Sequence, residues 1–224
     1  MKRNRELGLD ALIAIGILVL CMVIYNATLT PSLSYKSADG NELATVCYTL
    51  GLAHSTGYPL YTWLGKLFTY LPIGDAAHRV SLMSAVLGAG GVALLYLILR
   101  DLSGGRSPAV SRLASAFDAL LFGFSLTFWS QTGIAEVYAP TLFKVALTLL
   151  LLLRWAQARR AGKRRAHLWL WAFALVYGLS LGTHMSNLGF APAFVLFVLL
   201  VDRRLVLRPW IWLTAAALFG LGVL

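Results

Sequence analysis

The sequence predicts an all-α polytopic membrane protein with about seven transmembrane helices. Three observations support this fold class: the composition, the recurrence of long apolar segments, and the alternation of charge between them. Of the 224 residues, 59% are hydrophobic and the mean hydropathy is +0.75, which is too apolar for a soluble globular domain. No internal repeat or long linker interrupts the pattern, so we expect one transmembrane domain over residues 1–224, incomplete at its carboxyl end.

The apolar segments have the length and composition of membrane helices. In chain order they cover residues 8–29, 77–99, 113–133, 139–154, 168–185, 188–201 and 209–224. The first follows a basic start but is long and has no small-residue cleavage site after it, so we expect a retained span rather than a signal peptide. Tryptophans near the predicted span ends are typical of an interfacial aromatic belt, at Trp129, Trp155, Trp169, Trp171, Trp210 and Trp212.

Basic residues concentrate before the first span and in every second connection after it. These regions hold 15 of the 19 Lys and Arg residues: Lys2, Arg3, Arg5, Arg100, Arg106, Arg112, Arg154, Arg159, Arg160, Lys163, Arg164, Arg165, Arg203, Arg204 and Arg208. The other connections hold Lys36, Lys66 and Arg79. The positive-inside rule therefore predicts a cytoplasmic amino terminus and an outward-facing segment 30–76. The net charge of +10 is explained by topology, and no nucleic-acid partner is expected.

The outer segment 30–76 contains two short helical patterns. Apolar residues at helical spacing follow Pro59, which suits the first turn of a helix; they are Leu60, Leu64, Leu67, Phe68 and Leu71. This helix is too short to cross a bilayer, so we expect it to lie in the membrane interface. A shorter stripe precedes Gly51, at Leu43, Val46, Cys47 and Leu50. Two interfacial helices joined by a turn are thus predicted to cover the outer surface.

The lengths of the later spans predict an outward-open polar cavity. Only 36 residues separate Arg165 from Asp202, both predicted cytoplasmic, whereas two crossings of a ~30 Å core need about 40 helical residues. The turn 183–187 should therefore lie at or below the outer surface, and the same reasoning holds segment 130–138 near membrane depth. Polar, non-helical backbone at that depth is tolerated where it lines a water-filled cavity or is buried by protein.

Two carboxylates and a histidine gather in the first outer segment. Asp39 precedes Glu42 by three residues at a helix start, which suits either a cap with a capping-box acid or a general base. Both interpretations hold if Glu42 caps the helix while Asp39 points into the cavity. His54 lies in a Ser-Thr-Gly-Tyr-Pro turn, where a histidine either makes local hydrogen bonds or serves the site.

Four further ionisable residues have a functional and a structural interpretation. Glu136 follows the third span and is either a site carboxylate or a solvated acid at a helix start. Lys144 either snorkels to the surface or binds an anionic phosphate. His184 follows Gly178-x-x-x-Gly182, a pattern of close helix packing, and lies near the predicted cavity. Asp118 is expected to pair with a neighbouring arginine.

Motifs for several other chemistries are absent from the sequence. It contains no phosphate loop, nucleophile elbow, zinc spacing or dinucleotide fingerprint, which disfavours chemistry with soluble cofactors. Cys21 is predicted within the membrane and Cys47 outside it, so no disulfide is expected between them.

Four motifs together carry a resemblance to a known family: Asp39-Gly-Asn-Glu-Leu, Ala53-His-Ser-Thr-Gly-Tyr-Pro-Leu-Tyr, Ala135-Glu-Val-Tyr and Gly178-Leu-Ser-Leu-Gly-Thr-His. With them the chain resembles, over nearly its whole length, a membrane family formerly of unknown function that is related to protein O-mannosyltransferases. The resemblance implies a GT-C glycosyltransferase fold, of which this chain is an amino-terminal portion. It also implies transfer of a mannose-like sugar from a polyprenyl-phosphate donor to a protein or glycan hydroxyl on the outer or lumenal face.

The resemblance also implies roles for individual residues. Asp39 matches the acid of the first outer loop and would take the acceptor proton, with Glu136 as the further acid of the second. Lys144 or His184 would stabilise the departing lipid phosphate, and the configuration would invert. Residues assigned to substrate binding are Glu42, His54, Tyr58, Tyr61, Lys144 and His184. No metal ligand is assigned, although a divalent metal at the acids is compatible with the pattern.

Two other functions remain open from the sequence. A transporter or lipid-handling protein could use the same outward cavity to bind cargo, and a membrane scaffold would need no chemistry. Acids predicted on the outer face without counterparts on the cytoplasmic face argue against transport, because alternating access must reach the site from both sides. The expected location is the plasma membrane of a bacterium or the endoplasmic reticulum membrane of a eukaryote.

Overall fold

A computed structural model describes residues 2–34, 37–55, 57–104 and 107–223, with side chains from residue 6 onward. Lys36 and Arg106, which belong to the charge pattern, lie outside the described residues. The protein is all-helical: 79% of it is helix, and the described part of the chain contains no strand. The predicted all-α class is therefore confirmed.

The α-helices, in chain order, are α1 (Lys2–Ala27), α2 (Ala38–Thr49), α3 (Pro59–Phe68), α4 (Ala76–Leu102), α5 (Pro108–Gly123), α6 (Leu126–Thr132), α7 (Tyr138–Arg160), α8 (His167–Leu181), α9 (Ala191–Val201) and α10 (Pro209–Val223). Two 3₁₀ helices, Met185–Phe190 and Arg203–Leu207, flank α9. The predicted spans overlap helical segments, although the third, 113–133, is divided between α5 and α6. The two short helices expected in the outer segment are present as α2 and α3.

Three helices of the described chain are long and apolar enough to cross a membrane: Glu6–Ala27, Ala76–Leu102 and Tyr138–Arg160. A fourth crossing would combine α5 and α6, which meet at a bend of 66°. Helices α8 and α10 have 15 residues each, about 22 Å of rise, which is shorter than a ~30 Å hydrocarbon core. The chain thus has the helices of a membrane protein, while the predicted count of seven spans is not confirmed.

The chain forms two compact units, residues 1–143 and residues 144–224. In the first unit, α1, α4 and α5 pack around a core that includes Cys21, Tyr25, Val92 and Tyr96. The Tyr25 hydroxyl donates a hydrogen bond to the carbonyl oxygen of Gly123 at 2.7 Å, which ties α1 to the end of α5.

Charged side chains join the same three helices near the amino-terminal end of α1. Asp10 accepts hydrogen bonds from Arg100 of α4 and Arg112 of α5, and the Tyr96 hydroxyl also donates to it. The predicted pairing of Asp118 with an arginine is wrong for the described residues, because Asp118 is exposed and has no ion pair there. Asp118 lies six positions after Arg112, which places the two on different sides of α5.

Helices α2 and α3 pack against the start of α4. Pro59 occupies the first turn of α3 as predicted, and the buried face of this helix consists of Tyr61, Thr62 and Gly65. A Cβ added at Gly65 would lie 2.3 Å from the sulfur of Cys47, so the two helices cross where glycine leaves room. The predicted apolar stripe of α3 is divided: Leu64 and Phe68 pack against the core, whereas 64% of Leu67 is exposed. The interfacial position of this helix stays a prediction.

In the second unit, α8 and α10 make a close helix contact. A Cβ added at Gly178 would lie 2.2 Å from the backbone oxygen of Phe219, and one at Gly222 would lie 2.5 Å from the backbone oxygen of Leu175. Close packing at Gly178 was predicted from the sequence and is confirmed.

Candidate functional site

The amino terminus of α2 is built around Ser37. Its hydroxyl accepts a hydrogen bond from the Gly40 backbone at 3.0 Å, so Ser37 is the N-cap and Asp39 lies in the first helical turn. Of the two interpretations left open for Asp39, the helix cap is therefore excluded, since the cap lies two residues earlier. The Asp39 side chain is exposed.

The same serine connects α2 to the second acidic segment of this unit. Its hydroxyl donates to Glu136 Oε1 at 3.4 Å. Gly40 is buried against this segment, and a Cβ there would lie 3.0 Å from the backbone oxygen of Ala135. Glycine at this position thus allows the start of α2 to approach the loop that carries Glu136, and both predicted acids belong to one site.

Glu42 binds the turn that contains His54. One carboxylate oxygen accepts from the His54 backbone N–H at 2.7 Å, and the other lies 2.9 Å from His54 Nδ1. The expectation that Glu42 closes a capping box at the start of α2 is wrong, because its oxygens contact a residue twelve positions later. Glu42 instead fixes the turn between α2 and α3 and the orientation of the imidazole.

These contacts shift the ionisation of both partners. The backbone hydrogen bond from His54, followed by the side-chain hydrogen bond, lowers the pKa of Glu42. The side-chain hydrogen bond with Glu42 raises the pKa of His54, and the negative charges of Glu42, Asp39 and Glu136 act in the same direction. The pair is therefore held towards its carboxylate and imidazolium forms.

Tyr58 extends the Glu42–His54 pair. Its hydroxyl lies 3.3 Å from His54 Nε2, and the two rings meet edge to face with centroids 5.3 Å apart. Tyr58 adopts a left-handed backbone conformation, with φ of 45°, immediately before the proline that begins α3. The strained backbone brings the Tyr58 side chain back over the histidine, as is common at functional sites.

Glu136 occupies a more enclosed environment than the other acids. Only 8% of it is exposed, and its backbone N–H and carbonyl oxygen both contact the Ser84 hydroxyl, at 3.4 and 3.3 Å. Burial, followed by the negative charge of Asp39, raises the pKa of Glu136. The site thus contains an exposed and a buried carboxyl group near one another. In many enzymes, two carboxyl groups in such different environments have different pKa values and take different roles.

Three side chains could together hold a divalent cation. Ligand atoms of Asp39, Glu42 and His54 all lie within 4.8 Å of one another. Neighbouring ligands around a cation with bonds of about 2.1 Å lie about 3 Å apart in octahedral geometry and opposite ligands about 4.2 Å apart, so the three side chains would have to draw closer, with His54 as a neutral imidazole, to hold a small divalent metal. The remaining positions would be open to water or substrate oxygen.

Tyr61, predicted to bind substrate, is fully buried. Its hydroxyl has no hydrogen-bond partner among the described residues, and burial raises the pKa of this phenol well above its usual range. Its assignment to substrate binding stays a prediction. Sequence reasoning missed two serines of the site: Ser37 had the signal of an N-cap residue before a helix, whereas Ser84 had none.

The two remaining predicted residues belong to the second unit. Lys144 is buried in α7, and its ammonium group donates to Thr183 Oγ1 at 2.9 Å. His184 precedes a 3₁₀ helix, and its Nδ1 accepts from the Ser186 backbone at 3.3 Å. The first unit therefore brings together Asp39, Glu42, His54, Tyr58 and Glu136, while Lys144 and His184 lie near Thr183 in the second.

Comparison with known proteins identifies relatives over most of the chain. The chain is 33% identical over 198 residues to the mouse (Mus musculus) protein O-mannosyl-transferase TMEM260, covering 87% of this chain and 27% of that protein. It is 29% identical over 134 residues to protein O-mannosyl-transferase tmem260 of Dictyostelium discoideum, covering 58% of this chain and 15% of that protein. The chain thus spans about a quarter or less of the length of these relatives. No solved structure matches it.

A family model described as the protein O-mannosyl-transferase TMEM260 N-terminal domain matches residues 39–206. The matched region begins at Asp39 and includes Glu42, His54, Glu136 and Lys144. It covers well over half of the chain and agrees with the resemblance found in the four sequence motifs. The chain therefore belongs to the family of the TMEM260 N-terminal domain.

Proposed function

We propose that the chain forms the amino-terminal part of a membrane glycosyltransferase. In this proposal a mannose-like sugar passes from a polyprenyl-phosphate donor to a protein or glycan hydroxyl on the outer or lumenal face. The fold would be GT-C-like with seven crossings, in which α8, α9 and α10 supply the three short ones. Family membership supports the transferase class. The position of the acidic residues beside the ends of candidate membrane helices supports transfer at one face of the membrane.

The observation that carries the proposal is the placement of Asp39, Glu42, His54 and Glu136 around one outer segment. The segment that carries the first three joins the candidate spans Glu6–Ala27 and Ala76–Leu102, so it is fixed at both ends by candidate membrane helices. Glu136 lies just before α7. Loops that carry several ionisable groups on a rigid scaffold are typical of catalytic sites.

Asp39 acts as the general base in the proposed reaction. The acceptor oxygen attacks the anomeric carbon and passes its proton to the Asp39 carboxylate, while the bond from that carbon to the donor phosphate oxygen breaks. Polyprenyl phosphate leaves with the electron pair, and the configuration at the anomeric carbon inverts. Glu136 and the Glu42–His54 pair orient the acceptor or the donor around this reaction, with Tyr58 beside the imidazole.

A divalent metal belongs to the proposal as a cofactor of the same site. Asp39, Glu42 and His54 would hold it, and when bound it would neutralise negative charge on the donor phosphate. Asp39 would then offer its second carboxylate oxygen to the acceptor proton, with a lower basicity than the metal-free carboxylate. Titration of the purified chain with Mn²⁺ by electron paramagnetic resonance would detect the site, and His54→Ala should weaken that signal.

The test of function compares wild type with Asp39→Asn on labelled polyprenyl-phosphate sugar and candidate acceptors. Asn keeps the shape of Asp39 but removes the base, so transfer should fall roughly a hundred- to ten-thousandfold while the variant still folds. Asp75→Asn is the matched control, because Asp75 is the N-cap of α4 in the same outer segment and Asn caps about as well as Asp. Equal activity of the two variants would show that Asp39 is not the base.

The same assay separates a transferase from a transporter or lipid-handling protein. A stable new glycosidic product that requires the protein supports transfer. Movement of intact donor across vesicles without such a product would support the alternative function and contradict the transferase.

The proposed orientation has a cytoplasmic amino terminus and the acidic site on the opposite side. In a Cys-less background, single cysteines at Lys36 and Lys163 should react with an impermeant thiol reagent from opposite sides of the membrane. Labelling of both from one side would contradict the topology and with it the outer location of the site.

A further inference from the structure

The amino-terminal ends of α8 and α10 border a basic cavity in the second unit. The two helices run side by side in the same direction, because the rings of His167 and Trp210 at their starts have centroids 5.1 Å apart and Gly178 meets Phe219 further along. The cavity has a volume of about 770 Å³. Three arginines line it, Arg164, Arg165 and Arg208, together with His167 and Trp210. Three guanidinium groups therefore share one cavity.

The positive charge of this cavity has no compensating carboxylate. Residues 144–224 contain ten Lys and Arg side chains but a single acidic side chain, Asp202. Asp202 is buried and pairs with Arg159. The three arginines of the cavity are exposed, and none of them forms an ion pair among the described residues. Like charges gathered in one place repel each other, so a bound anion would stabilise this arrangement.

The chemistry of arginine favours a phosphate as that anion. The planar guanidinium group presents five N–H donors in a fixed fork, which matches the oxygens of a phosphate in a bidentate contact. Three such groups in one cavity can neutralise more than one negative charge. The lining therefore suits a ligand whose phosphate groups carry several negative charges.

Aromatic rings beside the arginines indicate that the cavity lies at a membrane surface. The rings of His167, Trp171 and Trp210 contact one another edge to face, with centroids 4.7 to 5.8 Å apart. The indole N–H of Trp171 donates to the Ile211 backbone oxygen at 3.1 Å, and 54% of Trp210 is exposed. Tryptophan is enriched at the level of the lipid headgroups, where basic pockets between helices bind anionic lipids.

An apolar cavity begins at the same end of α8 and α10. It has a volume of about 420 Å³ and lies between α8, α9 and α10. Leu170, Val206 and Trp212 line it, and each lies within two residues of a residue that lines the basic cavity. A phosphate held by the arginines would therefore have apolar walls nearby for an acyl chain, which a soluble phosphate does not need.

We propose that the basic cavity binds the headgroup of an anionic phospholipid with more than one negative charge, and that an acyl chain of this lipid enters the apolar cavity. The three arginines belong to connections for which the sequence predicts a cytoplasmic location, and the cytoplasmic leaflet is the one that contains anionic lipids. The proposal does not depend on the transferase function.

This lipid is distinct from the sugar donor. Lys144, the residue assigned to the donor phosphate, contacts Thr183 beyond the carboxyl-terminal end of α8. The basic cavity lies at the other end of this helix of 15 residues, about 22 Å away at helical rise. One phosphate cannot contact both positions.

Binding is measured by native mass spectrometry of the chain released from detergent micelles. A solution of about 0.15 M ammonium acetate limits the reach of distant charges to a Debye length of about 8 Å. The three probes are phosphatidylinositol bisphosphate, phosphatidylcholine, and inositol trisphosphate, which supplies a similar headgroup without acyl chains. Phosphatidylinositol bisphosphate should bind at least about tenfold more tightly than either of the other probes.

Two double variants test the arginines. Arg164→Gln combined with Arg208→Gln removes two of the three guanidinium groups from the cavity. Arg203→Gln combined with Arg204→Gln is the matched control, because these arginines belong to the neighbouring 3₁₀ helix and do not line the cavity. All four side chains are exposed, so both variants should fold. The first should weaken binding of phosphatidylinositol bisphosphate roughly ten- to hundredfold, and the control less than about threefold.

Three results would overturn the lipid site. Equal losses in the two double variants would show that general surface charge attracts the lipid. Binding of phosphatidylcholine as tight as that of phosphatidylinositol bisphosphate would show that the arginines do not select the headgroup. Binding of inositol trisphosphate as tight as that of the lipid would show a site for a soluble phosphate.

Discussion

Replacing Asp10 by Ala tests how the three long helices of the first unit are joined. Asp10 accepts hydrogen bonds from Arg100 Nε at 3.1 Å, Arg100 Nη2 at 3.1 Å, Arg112 Nε at 2.8 Å and the Tyr96 hydroxyl at 3.0 Å. The Asp10 and Arg100 side chains are only 14% and 16% exposed, so the pair is poorly screened by solvent.

Removal of one partner from such a network leaves the other charges without full compensation. Measured costs for breaking buried pairs are about 3–5 kcal/mol. Arg112 keeps its contact with Glu6 and Arg100 keeps its contact with Ser111, which reduces the loss. We therefore expect Asp10→Ala to lower the free energy of unfolding by about 3 kcal/mol, the lower end of that range.

The measurement is reversible unfolding in mixed detergent micelles, followed by tryptophan fluorescence. Asp118→Ala is the matched control, because Asp118 is an exposed aspartate of α5 without an ion pair among the described residues. It should change the free energy of unfolding by no more than about 0.5 kcal/mol. Equal effects of the two variants would refute the reasoning that Asp10 holds α1, α4 and α5 together.

Two further predictions concern helix packing and the ionisation of the site. Gly178→Ala should destabilise the second unit by about 1–3 kcal/mol because the added methyl group meets the backbone of α10, whereas Gly220→Ala has open space and should be neutral or slightly stabilising in the same unfolding assay. In NMR titrations, His54 should lose its proton above the usual histidine range of about 6.5, and Glu42→Gln should move that titration to lower pH. Since the pKa of His54 is raised and that of Glu42 lowered, the stabilisation from their contact should be lost above the folded pKa of His54 and below that of Glu42. An unchanged His54 titration in Glu42→Gln, or equal stability of the two glycine variants, would contradict the respective prediction.

The helices were predictable from local sequence because their signals are local. Apolar runs predicted every long helix, Pro59 marked the first turn of α3, and Gly178 marked a close helix contact. The bend between α5 and α6 was not predicted, because Ser125 acts as a new N-cap within a segment that is apolar on both sides. Ser125 is a residue type that favours an N-cap, but the apolar pattern on both sides of it is that of one continuous span.

The residues of the candidate site were predictable from the sequence, but the contacts between them were not. Asp39, Glu42, His54 and Glu136 were each recognised, yet Glu42 was expected to bond within its own helix turn. Its actual partner lies in a turn twelve residues away, and that contact depends on how α2 and α3 cross at Gly65. Contacts that depend on tertiary packing cannot be read from helical spacing, and the same holds for the hydrogen bond from Ser37 to Glu136.

The different environments of Asp39 and Glu136 bear on their proposed roles. A general base must accept a proton from an incoming hydroxyl, so it needs access to the acceptor, and the exposed Asp39 has that access. Glu136 is enclosed, its pKa is raised by burial and then by the charge of Asp39, and Ser37 holds one of its oxygens. A carboxyl group in that position suits holding a hydroxyl or a sugar in place, because its protonated form can donate as well as accept. Ser37 caps α2 and contacts Glu136 with one hydroxyl, so the helix start that carries the proposed base and the carboxyl group that would orient the substrate are fixed by the same side chain.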